Sequence, residues 1–141
     1  MPCLSRRAVL ACSLAVLASP SFAAESRHLS VEEAYEKAKV GEIILIDVRE
    51  PDEWADTGIP EGALPIAMRD PELGAKLDAA VNGDRSARVA LICRSGIRSR
   101  AVATAMREAG FTNVFDVGEG MIGSWRGPGW IRSGLPVEHP Q

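Results

Sequence analysis

Two short runs limit what this chain can fold into: Ile43-Ile44-Leu45-Ile46 and Val89-Ala90-Leu91-Ile92. Neither contains a polar residue, so neither offers a face to water, and each is too short for a buried helix. Such runs read as strands covered on both faces, the condition of a parallel sheet between layers of helices. The intervening sequence supplies the covers. Ser30-Val31-Glu32-Glu33 reads as a capping box opening a helix to about residue 39, with Val31, Ala34, Tyr35 and Ala38 on one face and Gly41 as its stop. Glu50-Pro51-Asp52-Glu53-Trp54 reads as a loop with a short helical turn, and residues 58–62 as a turn. Residues 63–66 fit an edge strand, because Pro65 excludes a central one. A helix over residues 70–81 follows, stopped by Asn82-Gly83. An alanine-rich helix over residues 99–109 stops at Gly110, and a strand over residues 113–116 comes after it. Residues 24–29 read as a loose polar arm. The tail from residue 118 reads as irregular and packed by Trp125 and Trp130. The expected class is α/β, with a mainly parallel central sheet of about five strands and helices on both faces. Ligands of such sheets bind at the carboxyl ends of the strands, where Asp47 and Cys93 fall.

The first 23 residues are expected to be an export leader and residues 24–141 the domain. Arg6-Arg7 precede a short apolar run, and Ser21-Phe22-Ala23 resembles a cleavage site. Ser5-Arg6-Arg7-Ala8-Val9-Leu10 resembles a twin-arginine signal in part, with general secretion as the alternative route. The apolar run falls short of the roughly 20 residues that span a bilayer, so no stable membrane insertion is expected, and the domain is placed in the periplasm or outside the cell. With Arg6, Arg7, Cys3 and Cys12 removed, the net charge moves from −3 to −5 and Cys93 becomes the only cysteine. A lone thiol in an oxidising compartment is either inert and buried or reactive. An acidic chain without a basic stripe gives no support to nucleic-acid binding.

Context marks Cys93 as reactive. Cys93-Arg94-Ser95-Gly96-Ile97-Arg98-Ser99 joins a buried strand to a helix, and a loop of this kind aims backbone N–H groups at one point. Helix N-termini and flanking arginines favour a thiolate, so no separate base is required. His28 and His139 lie outside the motifs and read as surface residues.

The loop resembles that of single-domain rhodaneses, whose active-site loop often reads Cys-Arg-x-Gly-x-Arg-Ser. Asp47-Val48-Arg49-Glu50 with Trp54 is similar to the family's first motif. Gly118, Gly120 and Trp125, then Gly134-Leu135-Pro136, are similar to its closing motif. There are departures. Gly58-Ile59-Pro60-Glu61-Gly62-Ala63 lacks the family's histidine and carries an inserted glutamate, Gly118-Glu119-Gly120 replaces a Gly-Gly pair, and Gly127-Pro128-Gly129-Trp130 is insertion-like. The resemblance implies a sulfurtransferase in which Cys93 attacks a small anionic donor such as thiosulfate and carries the sulfur as a persulfide. The acceptor is then a thiol, cyanide or a protein. The amides of Arg94, Ser95, Gly96, Ile97 and Arg98 are expected to stabilise the persulfide, and the Arg94 and Arg98 side chains to orient the donor. Asp47, Arg49 and Ser99 are expected to support the loop. No metal and no cofactor are called for.

Two rivals follow from the same residues. A cysteine phosphatase or arsenate reductase uses Cys-x5-Arg, but Arg98 gives Cys-x4-Arg and the sixth position is Ser99. A sulfur carrier or protein-binding module would keep the loop and turn over little.

Overall fold

The structure, a computed structural model, describes residues 27–141. The export leader expected over residues 1–23 lies outside the described residues, as do Cys3 and Cys12. The two apolar runs become the centre of a four-stranded, wholly parallel sheet. In it β1 (Ile44–Asp47) pairs with β4 (Val89–Ile92), from Ile44 against Val89 to Asp47 against Ile92. The short edge strand β3 (Leu64–Pro65) flanks β1, and β5 (Val114–Asp116) flanks β4, giving the order β3-β1-β4-β5. Two further strands, β2 (Ile59–Pro60) and β6 (Val137–Glu138), pair with each other, antiparallel and apart from this sheet.

The arm before the first helix is not loose where it is described. His28 makes a single parallel bridge to Asp116. The Leu29 N–H donates to the Asp116 carbonyl at 3.0 Å, and the Asp116 N–H to the Arg27 carbonyl at 2.9 Å. The arm thereby caps the open edge of β5, where backbone groups would otherwise be left unpaired.

Strand alternation sorts the core into two layers. Ile46, Val89, Leu91 and Val114 face α3 (Leu73–Ala80) and α4 (Ile97–Glu108). Leu45, Ala90, Ile92 and Phe115 face α1 (Val31–Lys39) and the tail. The capping box of α1 forms as expected: the Glu33 N–H donates to Ser30 Oγ at 3.1 Å and the Ser30 N–H to Glu33 Oε2 at 2.8 Å. Trp130 is fully buried, edge-on to Tyr35 at 5.8 Å, with its Nε1–H donated to the Pro136 carbonyl at 2.9 Å. Trp125 does not pack the tail as expected. It sits on a tight turn closed by mutual Ser124–Gly127 backbone bonds, which face it outward at 82% exposure with the Arg126 guanidinium 4.4 Å from its ring.

The segment expected to be loop with one helical turn is a seven-residue helix, α2 (Pro51–Thr57). A buried arginine holds its far end. Arg49 Nη2 donates to Asp47 Oδ2 at 2.7 Å and to the Gly58 carbonyl at 2.6 Å. Its Nη1 donates to Thr57 Oγ1 at 2.7 Å and to the Glu53 carbonyl at 3.3 Å. One guanidinium thus ties down the last residue of α2 and the cap that follows it and neutralises a carboxylate at the end of β1, both side chains being almost fully buried. Removing one partner of such a pair leaves a bare charge in the interior. Arg49→Ala is therefore expected to cost about 3–5 kcal/mol in urea unfolding; a loss below about 1 kcal/mol would mean the pair holds nothing together.

Candidate functional site

From β1 the chain moves outward to β3, then crosses back to β4 on the other side of β1. The direction of winding changes between β1 and β4, and the crevice at the carboxyl ends of those two strands is where open parallel sheets take ligands. Cys93 follows the last residue of β4 and so stands at that end of the sheet.

The loop after Cys93 turns in the least space that backbone allows. Gly96 adopts φ +90°, a left-handed conformation, and serves as the N-cap of α4. Its N–H donates to Cys93 Sγ at 3.1 Å. A side chain at Gly96 would place its Cβ 2.4 Å from the Gly118 carbonyl oxygen, so the position requires glycine for both reasons. The segment after β5 clasps the same loop from the other side. The Met121 N–H donates to the Cys93 carbonyl at 2.9 Å and the Ile122 N–H to the Arg94 carbonyl at 3.1 Å. Gly120, at φ +71°, lets this approach happen, since a Cβ there would stand 2.3 Å from the Arg94 carbonyl oxygen. The glycines of the closing motif are thus a backbone seat for the cysteine loop.

Cys93 is 1% exposed. The sulfur's other polar neighbour is Ser99 Oγ at 3.5 Å, in the first turn of α4, and Ser99 Oγ donates to Asp116 Oδ1 at 2.7 Å. Ser99 and Asp116 are both buried. Asp116 was read in the sequence only as the end of a strand. A single carboxylate inside Val114-Phe115-Asp116-Val117 was the available signal. His28, read as a surface residue, is partly exposed but stands against this carboxylate, with Nδ1 3.6 Å from Asp116 Oδ2.

The structure brings Cys93, Gly96 and Ser99 together around the sulfur. Arg94 and Ile97 face outward, Ile97 being 77% exposed, and Ser95 is half-buried. Arg98 turns to α2 and forms a forked pair with Glu53, 2.6 Å on each arm. Glu53 also accepts the Glu50 N–H at 3.1 Å. The Arg98 hydrogen bonds hold the Glu53 carboxyl down to about 2 from an ordinary 4.5, with the Glu50 amide adding to that and burial opposing it. The same pairing raises Arg98. Asp47 and Arg49 bind each other in the end of β1 and the start of α2. A groove of ≈ 340 Å³ lined by Leu73, Leu77, Val102, Met106 and Phe111 opens between α3 and α4, and no residue of the cysteine loop lines it.

The sequence model of the rhodanese-like domain matches residues 30–125. An uncharacterised protein of Rickettsia conorii, RC0915, is 29% identical over 98 residues, covering 65% of this chain and 80% of that protein. Among solved structures, the polysulfide-sulfur transferase of Wolinella succinogenes superposes with a TM-score of 0.63 at 28% identity, over 81% of this chain and 79% of that one. A thiosulfate sulfurtransferase of Pseudomonas aeruginosa gives 0.62 at 26% identity, over 81% of this chain and 20% of that one.

Two outcomes follow from the geometry. Gly120→Ala adds a left-handed penalty of about 1–2 kcal/mol to about 1–3 kcal/mol of overpacking, and should lower stability accordingly; an unchanged urea midpoint would contradict the clasp. The Glu53–Arg98 pair has a carboxyl depressed in the folded state. Its contribution is complete above pH 4.5 and is lost as pH falls through about 2. Between those limits the wild type should lose stability more steeply than Glu53→Gln, and parallel acid curves would contradict the pairing.

Proposed function

The chain belongs to the rhodanese-like domain family, and from that premise we propose that it is a sulfurtransferase acting through a persulfide on Cys93. The observation that carries the reading is the Gly96 N–H on Cys93 Sγ, at the N-terminus of α4 and at the point where the sheet changes its direction of winding. An amide and a helix N-terminus both favour negative charge on that sulfur. Sulfurtransferases among the structural relatives support the same reaction class.

In the proposed reaction the Cys93 thiolate uses its electron pair to bond the outer sulfur of thiosulfate or a comparable sulfane donor. The donor's S–S bond breaks and its pair leaves with sulfite. The persulfide then gives its outer sulfur to cyanide, to a small thiol or to a protein thiol. Because the resting thiol is almost fully covered, donor approach requires the 94–96 loop or the Cys93 side chain to shift. Arg94, on the outer surface of the loop, is the first cation an anionic donor meets. Arg98 keeps its charge through the Glu53 pair, so it sets the electrostatics of the helix start and fixes α2 beside the loop. The leader read in residues 1–23 would put this chemistry in the periplasm or outside the cell.

A sulfur carrier between proteins is the second reading. The 1% exposure of Cys93 favours it, since a sheltered persulfide resists loss to small thiols. The two readings share the loaded state and differ in turnover.

Intact-mass analysis after thiosulfate is expected to show a gain of one sulfur atom, absent in Cys93→Ala. Arg98→Ala removes the positive charge at the start of α4 and should lower kcat/KM for thiosulfate about 10-fold or more, with a smaller loss for an uncharged donor. Absence of any sulfur gain in the wild type, or robust hydrolysis of an aryl phosphate, would overturn the proposal.

A further inference from the structure

Behind the sulfur lies a buried polar chain that the persulfide scheme leaves unused. Cys93 Sγ reaches Ser99 Oγ at 3.5 Å, and Ser99 Oγ donates to Asp116 Oδ1 at 2.7 Å. All three residues are at most 1% exposed. With the serine proton committed to the carboxylate, the serine lone pairs face the thiol, which is therefore the donor in the resting state. The other oxygen, Asp116 Oδ2, is buried and has no hydrogen-bond partner among the described residues. His28 Nδ1 stands 3.6 Å away, beyond hydrogen-bond reach, and a buried acceptor without a hydrogen bond calls for a reason. The reason on offer is chemical. A thiol shut off from water must lose its proton to something before it attacks, and among the described residues this is the carboxylate that hydrogen bonds link to it, through Ser99.

We propose that Asp116, acting through the Ser99 hydroxyl, takes up the Cys93 proton when the nucleophile forms. The S–H bond breaks and its electron pair stays on sulfur. The proton passes to Ser99 Oγ as the serine's own proton passes to Asp116, so Ser99 remains neutral and now donates to the thiolate. Asp116 is a positioning and proton-holding group that never touches the donor. The inference rests on the reading of Cys93 as the nucleophile, but not on the identity of the sulfur donor.

An internal transfer has a distinctive pH signature. A proton handed from Cys93 to Asp116 stays on the protein, so thiolate formed this way does not follow the bulk solution. Several charged groups surround the pair. His28 from the arm is 3.6 Å from Asp116 Oδ2. Arg107 on α4 feels the Asp116 charge, and Arg126 lies across Gly118 from Asp116 Oδ2. Arg98, with Glu53 beyond it, faces Cys93. Of these, histidine alone is a side-chain type that titrates near neutrality, so it needs its own control.

The test is the rate at which the full-length protein is alkylated at Cys93 by iodoacetamide, an uncharged probe, across pH. The wild-type rate should be flat over about pH 6–8, while Asp116→Asn climbs about tenfold per pH unit and starts about 100-fold lower. Ser99→Ala should follow Asp116→Asn, and Ser99→Thr, which keeps the hydroxyl, should restore the flat profile. His28→Gln should stay flat. Parallel profiles for wild type and Asp116→Asn, or a uniform loss at every pH, would overturn the relay, as would a slope in His28→Gln equal to that of Asp116→Asn. Thiosulfate loading read by mass in the same samples separates the two ideas. A flat wild-type profile without sulfur gain keeps the relay and removes the sulfurtransferase reading; sulfur gain with parallel profiles does the reverse.

Discussion

The structure depends on a backbone-to-backbone clasp. The loop after β4 and the segment after β5 approach so closely that two positions in contact, Gly96 and Gly120, have no room for a Cβ. Two hydrogen bonds, from the Met121 and Ile122 amides to the Cys93 and Arg94 carbonyls, close the contact. With the carbonyls of the loop occupied in this way, the Gly96 amide is left to point at the sulfur. The clasp therefore sets both the position of the thiol and the electrostatics it feels. A side chain at either glycine would force the two segments apart.

Around the clasp, buried charge is used sparingly and each group has a defined place. Arg49 binds a carboxylate, the Glu53 carbonyl within α2 and the Gly58 carbonyl that caps it, which holds α2 against the end of β1, where Glu53 meets Arg98. That second pair links α2 to the start of α4. The first turn of α4 therefore stands between a cationic outer side and an anionic inner one, where Ser99 contacts Asp116. The sulfur lies between the two. Such an arrangement suits a group that must change charge during a reaction while remaining hydrogen-bonded in both states.

Much of the fold was legible because its central strands carry no polar residue. Ile43 to Ile46 and Val89 to Ile92 leave no alternative to a two-sided parallel sheet, and the capping box at Ser30 fixes where α1 begins. What stayed hidden was non-local. Helix α2 owes its length to Arg49, whose partners lie up to nine residues away and cannot be read from helix propensity. The arm looked loose because its order comes from the unpaired edge of β5. Trp125 looked like core by residue type, but the turn closed between Ser124 and Gly127 faces it to water. At the site, the Cys93 loop was legible from its glycine and arginines. The Glu53 partner of Arg98 was not, being 45 residues distant. Nor was Asp116, whose meaning appears only when β5 is laid beside β4 and its carboxylate meets Ser99.

Amide resonances of the loop offer the most direct test of the central claim, that the clasped loop is built to hold a negatively charged sulfur. In a proton–nitrogen correlation spectrum of the wild type, addition of thiosulfate should move the Gly96 amide most, with the Met121 and Ile122 amides following through the clasp. Shifts confined to the groove between α3 and α4, or a Gly96 resonance that does not move while sulfur is demonstrably loaded, would contradict it.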